Sequence, residues 1–187
     1  MMTNAMSAPG STLVLVDFQQ RLMPAIAHAD EVLAQATLLA RAARLLGIRT
    51  LGTEQNPIGL GPSVESLRQF CESSLSKMHF DACADGLSEL IRTAGGATAG
   101  DVVLAGCEAH VCLLQTALGL LRAGHGVWVV APACGSRKVL DHALAMQRLR
   151  EAGAGVVSTE MVVFEWLHSC RHPRFKEVLA LLKTPAA

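Results

Sequence analysis

"DVVLAGCEAHVCLLQTALGLLRAGHGVWVVA", residues 101–131, is the stretch from which the fold is read. It opens on a short aliphatic run, DVVLAG (101–106), and closes on another, GVWVVA (126–131), with an amphipathic stretch of helical length, 111–123, between them. Short, near-continuous runs of aliphatic and β-branched residues are what strands buried on both faces look like. Three more such runs occur, TLVLVD (12–17), IRTLGT (48–53) and AGVVST (154–159), and further helical stretches cover 30–46, about 82–94 and 137–152. Five strands alternating with helices predict a parallel sheet covered by helices on both sides.

The punctuation agrees. Asp30 is a candidate cap for a helix ending at Gly47, Asp81 for the one starting near 82; Gly124 or Gly126 closes the helix after Cys112, and Gly153 the one after Ser136. TEQNPIGLGPSVESL (53–67), with two prolines and two glycines, reads as a long loop. Residues 1–10 read as a flexible N-terminal tail, and a chain of 187 residues that is 51% hydrophobic suits one compact domain over 1–187.

Sixteen basic residues balance sixteen acidic ones without a block of like charge, so the sequence carries no footprint for nucleic acid or an anionic membrane. No apolar run reaches the roughly 18 residues of a membrane span, and the opening residues lack the basic start and apolar centre of a secretory signal, so a cytoplasmic location is expected. The six cysteines, at 71, 83, 107, 112, 134 and 170, form no CxxC pair and no Cys/His zinc spacing, which favours reduced thiols. A small molecule or another protein is the expected partner, and VDFQQRLMP after the first run lacks the glycine-rich loop of a nucleotide-binding site.

Ligands of open α/β sheets bind outside the carboxyl ends of the strands. Three reactive side chains fall there: Asp17 ends LVLVD, Lys77 lies in SLSKMHF ahead of a helix, and Cys112 sits near the first turn of the helix after DVVLAG. Taken singly, an Asp there is as often a turn residue, a Lys a surface charge and a Cys a small core residue. A helix start with its unpaired N–H groups favours a thiolate.

LVLVDFQ, TEQNPIGLGPSVESL, SKMHF, GCEAHVCLLQTAL, ACGSRKVLDHALAMQRLREAGAGVVSTE and HPRFKEVLALLK, in this order, resemble the isochorismatase-like cysteine hydrolases, within them the branch of isochorismatase domain-containing proteins. The resemblance covers almost the whole chain. It implies a three-layer α/β/α fold with a mostly parallel, Rossmann-like sheet, and an Asp-Lys-Cys catalytic triad. Carried over, Cys112 is the nucleophile, Asp17 the base taking its proton, and Lys77 the cation between them. The backbone N–H groups of Glu108 and Cys112 become the oxyanion hole, with a non-proline cis peptide between Cys107 and Glu108 and a flexible Gly106 before it. Gln19 matches a glutamine near the substrate pocket, where a turn-forming role is an equal alternative.

Phe18, Phe80 and Trp166 are read as core, and His110 as a pocket-edge or surface residue, because the resemblance gives it no role. Glu54 and Asn56 stand where a metal-dependent amidase branch carries its Asp-x-His ligands, and Asn is a poor substitute for imidazole, so neither metal nor cofactor is expected. Pro132 stands where relatives often have Asp, and Asp81 where they often have Ser. The resulting expectation is a hydrolase of small molecules, an amide first, working through a covalent intermediate on Cys112; vinyl-ether hydrolysis of isochorismate does not follow from the resemblance. A catalytically inactive oligomeric scaffold that binds a partner protein is the alternative.

A base at Asp17 leads to the expectation that Asp17→Asn raises the pH at which Cys112 ionises. A homo-oligomer is also expected, with either the Val162, Val163, Trp166, Leu167 stripe or the Phe175, Val178, Leu179, Leu182 stripe spare for the interface.

Overall fold

The computed structural model of the chain describes residues 5–95 and 100–183. Its centre is a sheet of six parallel strands, β1 Thr12–Val16, β2 Arg49–Gln55, β3 Ser73–Lys77, β4 Val102–Cys107, β5 Val127–Gly135 and β6 Gly155–Val157, in the order β3-β2-β1-β4-β5-β6. Five of these are the five apolar runs. The sixth, β3, lies at the sheet edge with the sequence SSLSK and three exposed serines, so it carries no buried-strand pattern to read. Lys77, expected ahead of a helix, is the last residue of this strand.

The helices are α1 Ala29–Leu46, the short α2 Pro57–Leu60 and α3 Glu65–Arg68, then α4 Leu87–Gly95, α5 Leu114–Arg122, α6 Val139–Glu151, α7 Thr159–Leu167 and α8 Phe175–Lys183. The segment expected to be a loop over 53–67 therefore holds the end of β2 and two single-turn helices. The cap of α1 is His28, with Asp30 inside its first turn, whereas Asp81 does accept from the N–H of Cys83 and caps a 3-10 turn over Ala82–Asp85 ahead of α4. Gly47 (φ 68°), Gly124 (φ 86°) and Gly153 (φ 96°) all follow helix ends in the left-handed region, where glycine costs least.

Alternate side chains of the strands point to opposite faces and build two cores. Leu13, Leu15, Val103, Ala105 and Val130 pack with α1, α7 and α8; Val14, Val16, Leu104, Val127 and Val129 pack with α4, α5 and α6. Pro132 finds its reason here. Between the pairs Leu104↔Val129 and Gly106↔Cys134, β5 carries extra residues opposite β4, and the exposed Pro132 lies in that bulge, where the ladder needs no N–H from it.

Of the tail expected over 1–10, residues 1–4 lie outside the described residues; Met6 is buried in the core and its N–H donates to Glu165 Oε2 at 2.6 Å. Phe18 and Trp166 are core as expected, but Phe80 is half exposed. Neither C-terminal stripe is spare. Val162, Val163, Trp166 and Leu167 are buried, Val178 is buried, and Phe175 and Leu182 pack against the same core. Among the described residues no helix is long and apolar enough to cross a membrane.

Candidate active site

Strands β1 and β4 are neighbours whose following helices, α1 and α5, cover opposite faces of the sheet. The chain therefore parts at their carboxyl ends and leaves a crevice, the usual ligand site of such sheets. Asp17 follows β1 directly at φ 51°, a left-handed conformation that Asp tolerates better than most residues, and its N–H donates to Thr53 O at 3.1 Å. At the end of β4, Gly106 has φ 154°, and a Cβ there would stand 2.3 Å from Val16 O, so only glycine lets the two strand ends close up. The cis peptide follows at Cys107–Glu108. Cys112 comes next, in a π-helical turn over Ala109–Leu113 that leads into α5.

Three strand ends thus converge. Lys77 Nζ donates to Asp17 Oδ2 at 2.8 Å, and both side chains are completely buried. The Cys112 thiol lies near enough to this pair to feel both charges. Two residues that the sequence reading passed over complete the cluster. Thr53 Oγ1 donates to Asp17 Oδ1 at 2.6 Å, and Gln55 Oε1 accepts from Lys77 Nζ at 2.6 Å and from the Cys112 thiol at 3.9 Å. Both sit on β2 two positions apart, hence on one side of the strand. Strand alternation through TEQ at a carboxyl end was the signal that could have found them. Glu54 and Asn56, the flanking residues, face elsewhere: Glu54 accepts from the N–H of Ser63 at 2.7 Å, and Asn56 precedes α2.

Burial pushes the Cys112 thiol up to about 12, the Asp17 carboxylate pushes in the same direction, and the Lys77 ammonium pulls it down without prevailing. A helix start favours a thiolate, but burial works against it here and leaves the balance on the side of the protonated thiol. Desolvation outweighs the cation.

Gln19 is fully buried and its amide is spent on main chain, donating to Gln55 O at 3.0 Å and Gly61 O at 2.7 Å and accepting from Gln55 N at 2.8 Å. It stands behind Gln55 in the layout. The Glu108 carboxylate accepts from Arg137 N at 2.9 Å and Arg137 Nε at 3.0 Å, while its carbonyl accepts from Val111 and Leu113, the latter bond closing the π turn. His110 is part-buried, its Nδ1 3.0 Å from Ser136 Oγ and its Nε2 3.9 Å from Asp141. Among the described residues no group of three or more His, Cys, Asp or Glu could hold a metal ion.

The Isochorismatase domain model matches residues 11–161, which takes in Asp17, Lys77 and Cys112. The chain belongs to the isochorismatase family. Isochorismatase domain-containing protein 2A of Mus musculus is 36% identical over 175 residues, 94% of this chain and 84% of that protein. The MAR1 ribonuclease of Caenorhabditis elegans superposes with a TM-score of 0.88 at 32% identity, covering 98% of this chain and 94% of its own. The Escherichia coli YcaC product, described as an octameric hydrolase of unknown specificity, shares the fold with a TM-score of 0.85 at 22% identity, covering 97% of this chain and 90% of its own. Membership of the isochorismatase family, with its three-layer α/β/α fold, supports a hydrolytic function.

Proposed function

We propose that this chain acts over its whole length as one cysteine hydrolase of small molecules, an amide first, through a covalent intermediate on Cys112. The observation that carries this reading is the fully buried ion pair of Asp17 and Lys77 with the Cys112 thiol beside it, Gln55 Oε1 accepting from both Lys77 and the thiol, where the ends of β1 and β3 meet the turn after β4. Because the thiol is protonated at rest, its proton moves to Asp17 as the sulfur attacks the carbonyl carbon. The negative charge then passes to the carbonyl oxygen, which the N–H groups of Glu108 and Cys112 receive, and Lys77 balances the site throughout. Collapse breaks the C–N bond, the amine leaves with the proton from Asp17, and a thioester remains on Cys112. Water attacks the thioester, Asp17 takes its proton, and the acid departs with the thiol restored. All the groups used belong to the chain, and no metal or cofactor has a step.

The cleavage implied by the C. elegans relative's designation as a ribonuclease finds less support, since the sequence carries no run of basic residues of the kind that grips phosphodiesters. The test is a panel of small aliphatic and aromatic amides, with amine release followed in solution and the Cys112 peptide followed by mass spectrometry. Turnover with an acyl mass on Cys112 is expected, and Cys112→Ala should stay folded and lose turnover, because truncation at this position removes only the sulfur. Turnover that survives Cys112→Ala would overturn the covalent route, and no turnover on the whole panel would favour a scaffold of the same fold.

A further inference from the structure

We propose that Gln55 is a positioning residue that anchors the Lys77 ammonium beside the Cys112 sulfur, an inference that rests on the catalytic reading of Cys112 and Lys77. Lysine is a charge on a flexible four-carbon stem, so a buried ammonium stays in one place only if its hydrogens are all directed. Here they are: Nζ donates to Asp17 Oδ2 at 2.8 Å, Gln55 Oε1 at 2.6 Å and, more weakly, His79 O at 3.4 Å.

Gln55 is itself held at every polar atom. Its Nε2 donates to Met78 O at 2.9 Å, which turns Oε1 toward Lys77, and the Gln19 amide grips its backbone N–H and C=O. In the parallel register Gln55 pairs with Lys77, so the two side chains leave adjacent strands side by side. The same Oε1 lies 3.9 Å from Cys112 Sγ. Gln55 therefore touches both the cation and the thiol while supplying no proton of its own to either. Without its oxygen, the fully buried ammonium loses a strong acceptor and swings off the sulfur. Since the cation is what pulls the thiol's ionisation down, the thiol should then ionise at still higher pH.

Two readouts on the intact protein test this without any substrate. One is the Nζ–H cross-peak of Lys77 in the NMR spectrum of isotope-labelled protein, which an immobilised ammonium gives. The other is the rate of Cys112 alkylation by iodoacetamide against pH, followed on the Cys112 peptide. Gln55→Leu, similar in size but without an acceptor, should lose the cross-peak, move the alkylation profile up by about one pH unit and slow alkylation at fixed pH about tenfold, since only thiolate reacts. A folded Gln55→Leu with both readouts unchanged overturns the proposal. Should that variant not fold, Gln55→Glu keeps an acceptor in place and should retain the Lys77 cross-peak at a displaced position; a cross-peak unmoved from the wild-type position overturns the proposal equally. Failure of the amide panel would overturn the hydrolytic reading and leave these two measurements untouched.

Discussion

Asp17 carries two separable consequences. Among the described residues it is the only anion paired with Lys77, so Asp17→Asn leaves a buried ammonium without its counter-charge, a loss of roughly 3–5 kcal/mol for a buried pair. A correspondingly lower unfolding temperature is expected by calorimetry. The effect on Cys112 runs against what proton acceptance alone suggests. The carboxylate is one of the influences that raise the thiol, so the resting thiol of Asp17→Asn should ionise at lower pH, while the proposed mechanism, which uses Asp17 as its base, requires turnover to fall. An alkylation profile shifted to higher pH would contradict this electrostatic account. Gly106 is the other residue whose role is local: Gly106→Ala would drive a Cβ to 2.3 Å from Val16 O at a φ of 154°. Denaturant unfolding should show a loss of more than about 2 kcal/mol.

Among the elements, the connection from α5 to β5 lies at the amino edge of the sheet, opposite the site, and holds a buried histidine. His125 Nε2 is 2.9 Å from Ser88 Oγ on α4, and burial, with a lesser contribution from Arg92, holds its ionisation below the usual 6.5. A histidine kept neutral in the folded chain binds fewer protons there than in the unfolded chain. Its contribution is therefore fully present above the unfolded value and is lost as pH falls below about 6.5, with a limiting slope of about 1.4 kcal/mol per pH unit. The difference in unfolding free energy between wild type and His125→Gln should shrink as pH falls from 7.5 to 5. A constant difference would remove this histidine from the acid sensitivity of the fold.

For the whole molecule, the question is what covers the outer face of α6. Val139, Leu140 and Leu144 there are 61%, 68% and 55% exposed, and they fall within one side of the helix. With both C-terminal stripes consumed inside the subunit, this face is the one we propose for a homo-oligomer. Light scattering should give a multiple of 19.8 kDa, and Leu140→Glu with Leu144→Glu should lower the mass toward that of one chain. A wild-type mass of 19.8 kDa would defeat the proposal.

The sequence by itself determined the layered parallel fold, because strands buried on both faces must be written almost wholly in apolar residues, as β1, β4 and the first half of β5 are. It also set Asp17 at the end of β1 and Cys112 at the turn into the helix after β4. Edge strand β3 escaped because an edge half in solvent carries no such constraint. Thr53 and Gln55 escaped for a different reason: their chemistry consists of partners 36, 22 and 57 positions away, and only the register of β1, β2 and β3 brings those atoms together. The protonation of Cys112 was likewise decided by tertiary structure, since its sign depends on how much water the packed chain removes from the sulfur set against one cation and one anion, a balance of burial and distance that no local spacing encodes.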